Sequence, residues 1–393
     1  MKRKLIIAIF ILLFALPFCF NFTHVYAKES SEDSDKLQTE ITDLINSLDL
    51  SAFEEYLKNI PSQIIGGDSI KTQLFKMLKG ETELSFNSIS EYVIGVFLSG
   101  IKQKLPIYTV LFILLLICAI INAVKSQKLG GGVYEIVRFS CFAVIVSIVV
   151  TVAYSLILQS KSAIENTSKA VQSVFPIILA LMSITGNTSS VAVYNPAMLF
   201  ISDLVVVVVN KIIFPIILTM LALSVISNIC KTVKLNGLIG FSSGIIKWII
   251  GLVATVFSIY LTIKGLNSGI YDGISLRALK YTVNSSVPIV GGILRDGLDL
   301  ILASGVLVKN ALGSVAIIIV FGIVIQPILE IACVSLALKL VNAVLEPLND
   351  SGTSAFINSI CSIISFAIAS IVLVSLMYIV VIILSICSSQ MLF

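Results

Sequence analysis

Residues 271–310 read YDGISLRALKYTVNSSVPIVGGILRDGLDLILASGVLVKN, a charged stretch with several glycines and one proline. It lies between two long apolar blocks that read as membrane spans. Glycine and proline disfavour regular helix, and non-helical backbone at bilayer depth is tolerated only where protein or a water-filled cavity satisfies its peptide groups. We therefore expect this segment to line or gate a polar path.

The composition of the whole chain is that of a membrane protein. The 393 residues are 57% hydrophobic and 12% charged, whereas soluble domains are about 25% charged. The apolar runs are continuous rather than alternating, so the sequence predicts an all-α polytopic membrane protein with about six to eight transmembrane helices, embedded in lipid. The net charge of +4 is too small to indicate a nucleic-acid partner.

Residues 1–27 have the form of a cleavable signal peptide. A basic start is followed by an apolar run and by the small-residue pattern Val25-Tyr26-Ala27, although an uncleaved first transmembrane helix is the alternative. His24, the only histidine, lies in this leader. A mature chain without imidazole lacks the usual general base and metal ligand, and no nucleotide-binding motif is present. We therefore expect a protein that is not an enzyme and binds no cofactor or metal.

Residues 28–104 form an acidic region that we expect to be helical and extracytoplasmic. It contains 13 of the 22 acidic residues. Apolar residues recur at amphipathic helical spacing at Leu37, Ile41, Leu44, Ile45 and Leu48. The core of so short a region is thin, so it is expected to lean on the membrane or on partner proteins. A mobile solvated spacer is the alternative.

Residues 105–170 form a first transmembrane hairpin, with spans at about 106–124 and 139–158. The cations between these spans, Lys125, Lys128 and Arg138, belong on the cytoplasmic side. The mature N-terminus is then extracytoplasmic, in agreement with the signal peptide.

The rest of the chain has the pattern of an internal repeat, with domains at 171–265 and 266–393. Pro176 and Pro215 match Pro288 and Pro327 at an offset of 112 residues. Each copy begins with a short, Pro-containing apolar piece, at 171–184 and 287–302, and continues into a very long apolar run. Six spans result if the short pieces are re-entrant and each long run crosses once. Eight or more result if the short pieces cross or the long runs bend at their prolines.

Charged residues inside the apolar runs are candidates for a polar site. An ionised group near the bilayer centre costs at least ~2.5 kcal/mol, so Asp203 and Glu330 each need a partner or water. A buried structural pair and a functional polar site are equal alternatives for both, whereas Lys211, Lys247 and Lys339 are interpreted as snorkelling lysines. The complete set of candidates for a polar pathway or gate is Asp203, Glu330, Asp272, Arg277, Lys280, Pro288, Gly291, Gly292, Asp296, Asp299 and Lys309.

The polar segment also carries a family resemblance. Its residues Asp272-Gly273-Ile274-Ser275-Leu276-Arg277, Lys280, Pro288, Asp296, Asp299, Ser304 and Lys309-Asn310 are similar to the stage III sporulation protein AE family of endospore-forming bacteria. The order of leader, acidic extracytoplasmic region and spans also resembles that family over essentially the whole chain. The family has no established catalytic residues, so the resemblance assigns none here.

The resemblance implies a subunit of the channel complex that joins the mother cell to the engulfed forespore. It implies a place in the mother-cell membrane around the forespore and partners among the other stage III A-operon proteins, which include an ATPase and ring-forming subunits. The forespore protein called stage II Q is a further implied partner. Within such a complex the chain would act as conduit, permease or assembly platform required for late forespore development. An independent secondary transporter and a purely structural anchor are the alternatives.

Overall fold

The computed structural model describes residues 31–51, 54, 69–78, 91, 93–102, 105–106, 109–110, 113, 117, 131–185, 195–229, 235–286, 291–345 and 351–387. Throughout these ranges the regular secondary structure is helical, without a strand. Five of the helices are long and apolar enough to cross a membrane, by length and composition. The expected all-α polytopic membrane class is therefore confirmed.

The helices are numbered in chain order. Outside the candidate spans lie α1 (Ser31–Ser47), α2 (Ile70–Leu78) and the short apolar helix α3 (Val93–Lys102). The spans belong to α4 (Gly131–Ile184), α5 (Asn195–Val208), a π-helical turn (Val209–Ile213), α6 (Phe214–Ile229), α7 (Asn236–Ser286), α8 (Gly291–Leu345) and α9 (Ser351–Cys387). The apolar parts of these helices are Phe139–Ile184, Ala197–Ile229, Asn236–Thr262, Leu300–Ala343 and Gly352–Cys387.

The N-terminal helices α1 and α2 pack against α8. The amphipathic pattern of α1 is confirmed, because Ile41 and Ile45 are buried in the same core as the span residues. The predicted dependence of this region on the membrane or on partner proteins stays a prediction. After α1, the Asp49 carboxylate accepts hydrogen bonds from the Ser51 hydroxyl (2.6 Å) and backbone N–H (3.2 Å), and the hydroxyl bond lowers the pKa of Asp49.

Helices α8 and α9 form the centre of the bundle, and α7 lies at its periphery. In the most apolar window of each span, 72% of the residues of α8 and 67% of those of α9 are buried, against 17% for α7. The pair α8 and α9 approaches closely at Gly313, where a Cβ would lie 2.6 Å from Cγ1 of Ile386. Glycine at this position lets the two central helices come together, as small residues do in membrane helix pairs.

The short piece at residues 171–184 is not separate from the preceding span. It is the last part of α4, which continues through Pro176 over 54 residues. The expectation of a distinct, re-entrant piece at 171–184 is therefore wrong. Proline removes one backbone hydrogen bond, and packing compensates for it here, because Val174, Phe175 and Ile178 beside it are fully buried.

The polar segment at residues 271–310 is also more regular than expected. Its backbone is helical to Ser286 in α7 and again from Gly291 in α8, and residues 287–290 between these two points are not among the described residues. Gly291 and Gly292 form the first turn of α8 rather than a break within it. The prediction of a largely non-helical segment is wrong, because glycine weakens a helix by only about 0.5–1 kcal/mol.

Each long apolar run forms one continuous helical rod. Residues 195–229 remain helical past Pro215, which directly follows the π-helical turn, and residues 311–344 remain helical past Pro327. In the π-helical turn the N–H of Phe214 bonds to the carbonyl of Val209, five residues earlier. The alternative in which the long runs bend and cross twice is therefore not seen, and five of the six spans of the simpler topology are described. Residues 106–124, the remaining span, lie mostly outside the described residues.

The helix breaks do not follow the offset of 112 residues. In the first copy, residues 171–184 and the long run belong to two helices, whereas in the second copy residues 291–302 and the long run share α8. The boundaries placed after residues 170 and 265 fall inside α4 and α7. The division into two membrane repeats stays a prediction about the sequence and does not coincide with helix ends.

Candidate polar site between the membrane helices

Asp203 is the centre of a hydrogen-bonded cluster that joins three membrane helices. Its Oδ1 lies 2.8 Å from the hydroxyl of Tyr378 in α9, 2.8 Å from Nε2 of Gln172 and 3.3 Å from Oγ of Ser168, both in α4. Tyr378 is fully buried and its hydroxyl is also 2.9 Å from Oγ of Ser168. The carboxylate is partly buried, and the Gln172 side chain is exposed at the edge of the cluster. The four residues thus connect the bundle interior to its surface.

The cluster is one end of a longer polar row between α4 and α5. Along α4, Lys161, Glu165, Ser168 and Gln172 follow one another at spacings of four, three and four residues, which places them on one helix face. This part of α4 runs antiparallel to α5, because Asn210 contacts Glu165 (3.5 Å) and Asp203 contacts Ser168 and Gln172. The row spans about 16 Å of α4, roughly half of a bilayer core.

The end of the row that is farther from Gln172 contains an ion pair and an unsatisfied amide. Lys161 Nζ lies 4.0 Å from Glu165 Oε1, with both side chains more than 40% exposed, so this pair contributes little to stability. The Oδ1 atom of Asn210 is buried and accepts no hydrogen bond from any described residue. Asn210 belongs to the π-helical turn, an irregularity that is frequent at functional sites.

Pro176 adds a backbone acceptor near the cluster. It lies four residues after Gln172 in α4 and has no N–H to donate to the Gln172 carbonyl. The cluster therefore combines one carboxylate, two hydroxyls, one amide and a carbonyl without its helical donor. Such oxygen-rich groups can hold a cation, a water molecule or a polar solute at a depth where lipid offers no hydrogen bonds. Among the described residues no group of three or more His, Cys, Asp and Glu could hold a metal ion.

Lys211 does not belong to the Asp203 cluster. Lys211 lies in the π-helical turn, is exposed, and forms no bond with Asp203. Lys247 and Lys339 are exposed as well; Lys339 lies near the end of its span, where a lysine can snorkel, whereas Lys247 lies near the middle of its span.

Lys309 lies away from the Asp203 cluster, at the end of the last helix. Its side chain is fully buried, and Nζ donates hydrogen bonds to the backbone carbonyls of Ser385 (3.1 Å) and Ile386 (2.9 Å). The last carbonyls of a helix lack intrahelical donors and carry the negative end of its dipole. Lys309 thus caps the C-terminus of α9 and ties it to α8.

Glu330 is the second intramembrane carboxylate, and it is also separate from Asp203. It is partly buried in α8 and accepts a hydrogen bond from Nε2 of Gln326 (3.1 Å) one turn earlier. The two acidic candidates therefore do not form one site.

The other candidates are placed only in part. Asp272, Arg277 and Lys280 belong to α7, and Gly291, Gly292, Asp296 and Asp299 belong to the start of α8, but their side chains lie outside what the structure describes. Pro288 lies between the two helices, outside the described residues altogether.

Ser168, Gln172 and Tyr378 are members of the cluster that are not among the candidates chosen from the sequence. Ser168 and Gln172 belong to a polar face of α4 that recurs at helical spacing, and this periodicity is visible in the sequence. Tyr378 is the only tyrosine of α9, a residue whose hydroxyl needs a partner in an apolar helix. Its pairing with a residue 175 positions earlier depends on tertiary packing.

Comparison with known proteins gives a consistent result over most of the chain. The model of a protein family described as Stage III sporulation protein AE matches residues 69–389, a range that includes the polar row and all five candidate spans. A Stage III sporulation protein AE of Bacillus subtilis (strain 168) is 21% identical over 334 residues, which cover 84% of this chain and 84% of that protein. No solved structure matches.

Proposed function

Because the chain belongs to the stage III sporulation protein AE family, we propose that it is the membrane subunit of a sporulation complex that links the mother cell to the forespore. The family gives it a role in sporulation, and its apolar helices give it a multi-pass membrane form. The finer proposal is that the subunit lies in the mother-cell membrane around the forespore, with its mature N-terminus extracytoplasmic. There it contributes a polar conduit required for late forespore development.

The observation that carries this proposal is the hydrogen-bonded cluster at Asp203. A purely structural anchor has no need of a carboxylate in an apolar helix, since burying one costs at least ~2.5 kcal/mol. The cluster supports a conduit more than an anchor because Gln172 and the Lys161–Glu165 pair extend it to the bundle surface. The chain carries no nucleotide-binding motif, so we propose that energy comes from a separate ATPase subunit.

The proposed partners are the other stage III A-operon proteins and the forespore stage II Q protein. The packing of α1 and α2 on α8 supports a subunit whose extracytoplasmic region is fixed to its membrane part, as a docking platform needs to be. The role of this region as a recruiting surface remains part of the proposal.

Affinity purification from sporulating cells tests the proposed complex. We expect a tagged copy, extracted in mild detergent, to recover an ATPase and ring-forming subunits, identified by mass spectrometry. An unrelated multi-pass membrane protein with the same tag is the control for non-specific recovery.

Recovery of the tagged chain alone would contradict the proposed complex. It would favour the second candidate function, an independent secondary transporter in which Asp203 binds a solute or a coupling ion. The observation that favours this candidate is again the oxygen-rich cluster beside a proline-containing helix.

A further inference from the structure

The outward face of α7 carries a stripe of glycines beside exposed large side chains, among them Phe241 and Trp248. On the opposite face of this helix, Ile246, Val253 and Phe257 are buried against the bundle. Helical spacing places Gly237, Gly240, Gly244 and Gly251 on the far side, and a Cβ added at any of these four would meet nothing within 4 Å. A stripe of this kind allows another helix to approach closely, but the glycines alone do not show what that helix is.

Lys247 makes this face more than an apolar surface. It lies near the middle of the candidate span Asn236–Thr262, flanks the glycine stripe, and is exposed. It forms no hydrogen bond or ion pair with any residue that the structure describes. A lysine in the middle of a lipid-facing helix is unfavourable, so a carboxylate from another helix would stabilise it.

Glu330 is a carboxylate of this chain that lacks a cationic partner in the described residues. It shares an outer strip of α8 with Gln326, which is exposed and donates to it. Leu336 and Leu340, which are 52% and 61% exposed, lie further along α8, and between them and Glu330 the Sγ of Cys333 is 3.8 Å from the carbonyl of Phe97 in α3. Within one chain Lys247 and Glu330 form no ion pair, so each can bind a charge on a different molecule.

The position of Lys247 along the axis of the bundle follows from two contacts between side-chain hydroxyl or amide groups. Ser224 of α6 and Ser359 of α9 are 2.9 Å apart and define a reference level. Ser227, one turn further along α6, lies 3.3 Å from Asn236 at the start of α7. At a rise of 1.5 Å per residue, Lys247 then lies about 12 Å from the reference level, toward the Asp203 end of the bundle.

The position of Glu330 along the same axis follows from a contact between α9 and α8. The Sγ of Cys361, two residues after Ser359, lies 3.9 Å from the carbonyl of Ser335 in α8. Glu330 precedes Ser335 by five residues and therefore lies about 11 Å from the reference level, in the same direction as Lys247. The two charges lie at the same depth to within about 2 Å by this helical rise.

Equal depth is the condition for pairing between copies. In a ring of identical chains whose axis is normal to the membrane, each residue has the same depth in every copy. We propose that the glycine face of α7 in one copy docks on the Gln326–Glu330 strip of α8 in the next copy, with Lys247 paired to Glu330. The two faces are different surfaces of the chain, so the contact is head-to-tail, and at equal depth it can close into a ring in the membrane plane. This inference does not depend on the proposed function.

Charge reversal and its repair test the contact. The wild-type protein, purified alone in lipid nanodiscs, is expected to have a mass that is a multiple of one chain. Lys247→Glu and Glu330→Lys are each expected to convert it completely to single chains, and the double variant is expected to restore the multiple. Lys339→Glu, which reverses another exposed lysine on α8, is the matched control and is expected to leave the mass unchanged.

Gly244→Leu tests the close approach without disturbing the chain itself. Its new side chain meets open space, so the assembly is expected to be lost while the thermal unfolding temperature stays at or above that of the Lys247→Glu single chain. A wild-type protein that is monomeric in nanodiscs overturns the proposal. The glycine face of α7 then contacts lipid, unless Lys247→Glu abolishes the binding of another sporulation protein, in which case it binds that protein. An assembled Lys247→Glu or Gly244→Leu variant, or a double charge variant that stays monomeric, overturns it as well.

Discussion

Replacement of Asp203 by lysine is expected to reduce the number of heat-resistant spores to the level of a strain that lacks the protein. The variant removes the acceptor shared by Ser168, Gln172 and Tyr378 and puts a cation beside two hydroxyls and an amide. None of these three groups is a carboxylate that could pair with the new ammonium, and an ionised group near the bilayer centre costs at least ~2.5 kcal/mol. Spore counts after heat treatment measure the effect.

The amount of protein and its partners separate loss of function from loss of folding. We expect the Asp203→Lys protein to be recovered from membranes together with the subunits that the wild type recovers. Lys211→Glu, a reversal at an exposed position eight residues later, is the matched control and should sporulate normally. Wild-type spore counts for Asp203→Lys would show that the cluster has no role in the pathway.

Replacement of Lys309 by methionine is expected to have the largest effect on stability. Methionine has a similar length, so the cavity is small, but the carbonyls of Ser385 and Ile386 lose their ammonium donor. Two buried acceptors left in this way cost roughly 1–3 kcal/mol each. We therefore expect a clear decrease in thermal unfolding temperature in detergent and less protein in the membrane.

Lys339→Met is the control for the loss of a lysine from the same helix. Lys339 is exposed, so its replacement should leave the unfolding temperature nearly unchanged. Equal unfolding temperatures for Lys309→Met and Lys339→Met would mean that the cap on α9 does not stabilise the bundle. Lys309 would then be open to the path or gating role that the sequence suggested.

Most of the fold class follows from sequence because local patterns determine it. The continuous apolar runs predict the spans, and the spacing of Ile41 and Ile45 predicts the buried face of α1. Asp203 could be chosen as a candidate because a carboxylate in an apolar run is costly wherever the chain folds.

The errors concern features that packing decides. Pro176 and the glycines of residues 271–310 suggest breaks, yet the helices continue, because neighbouring elements compensate for one lost hydrogen bond or a small loss of propensity. Lys309 is a candidate for the polar path because it lies in residues 271–310, but its hydrogen bonds are with α9, 76 and 77 residues later in the sequence. Neither the cap on α9 nor the contact of Tyr378 with Asp203 has a local sequence signal.

The most direct test of the polar conduit is the frequency of heat-resistant spores in a strain that carries only Asp203→Asn. Asparagine has nearly the same shape and its carbonyl oxygen can still accept from Tyr378 and Gln172, so the cluster keeps its geometry and loses its negative charge. If the carboxylate serves a path through the membrane, spore frequency falls sharply while the protein and its partners are recovered in normal amounts. Wild-type spore frequency would contradict this account and leave Asp203 as a structural link between α4, α5 and α9.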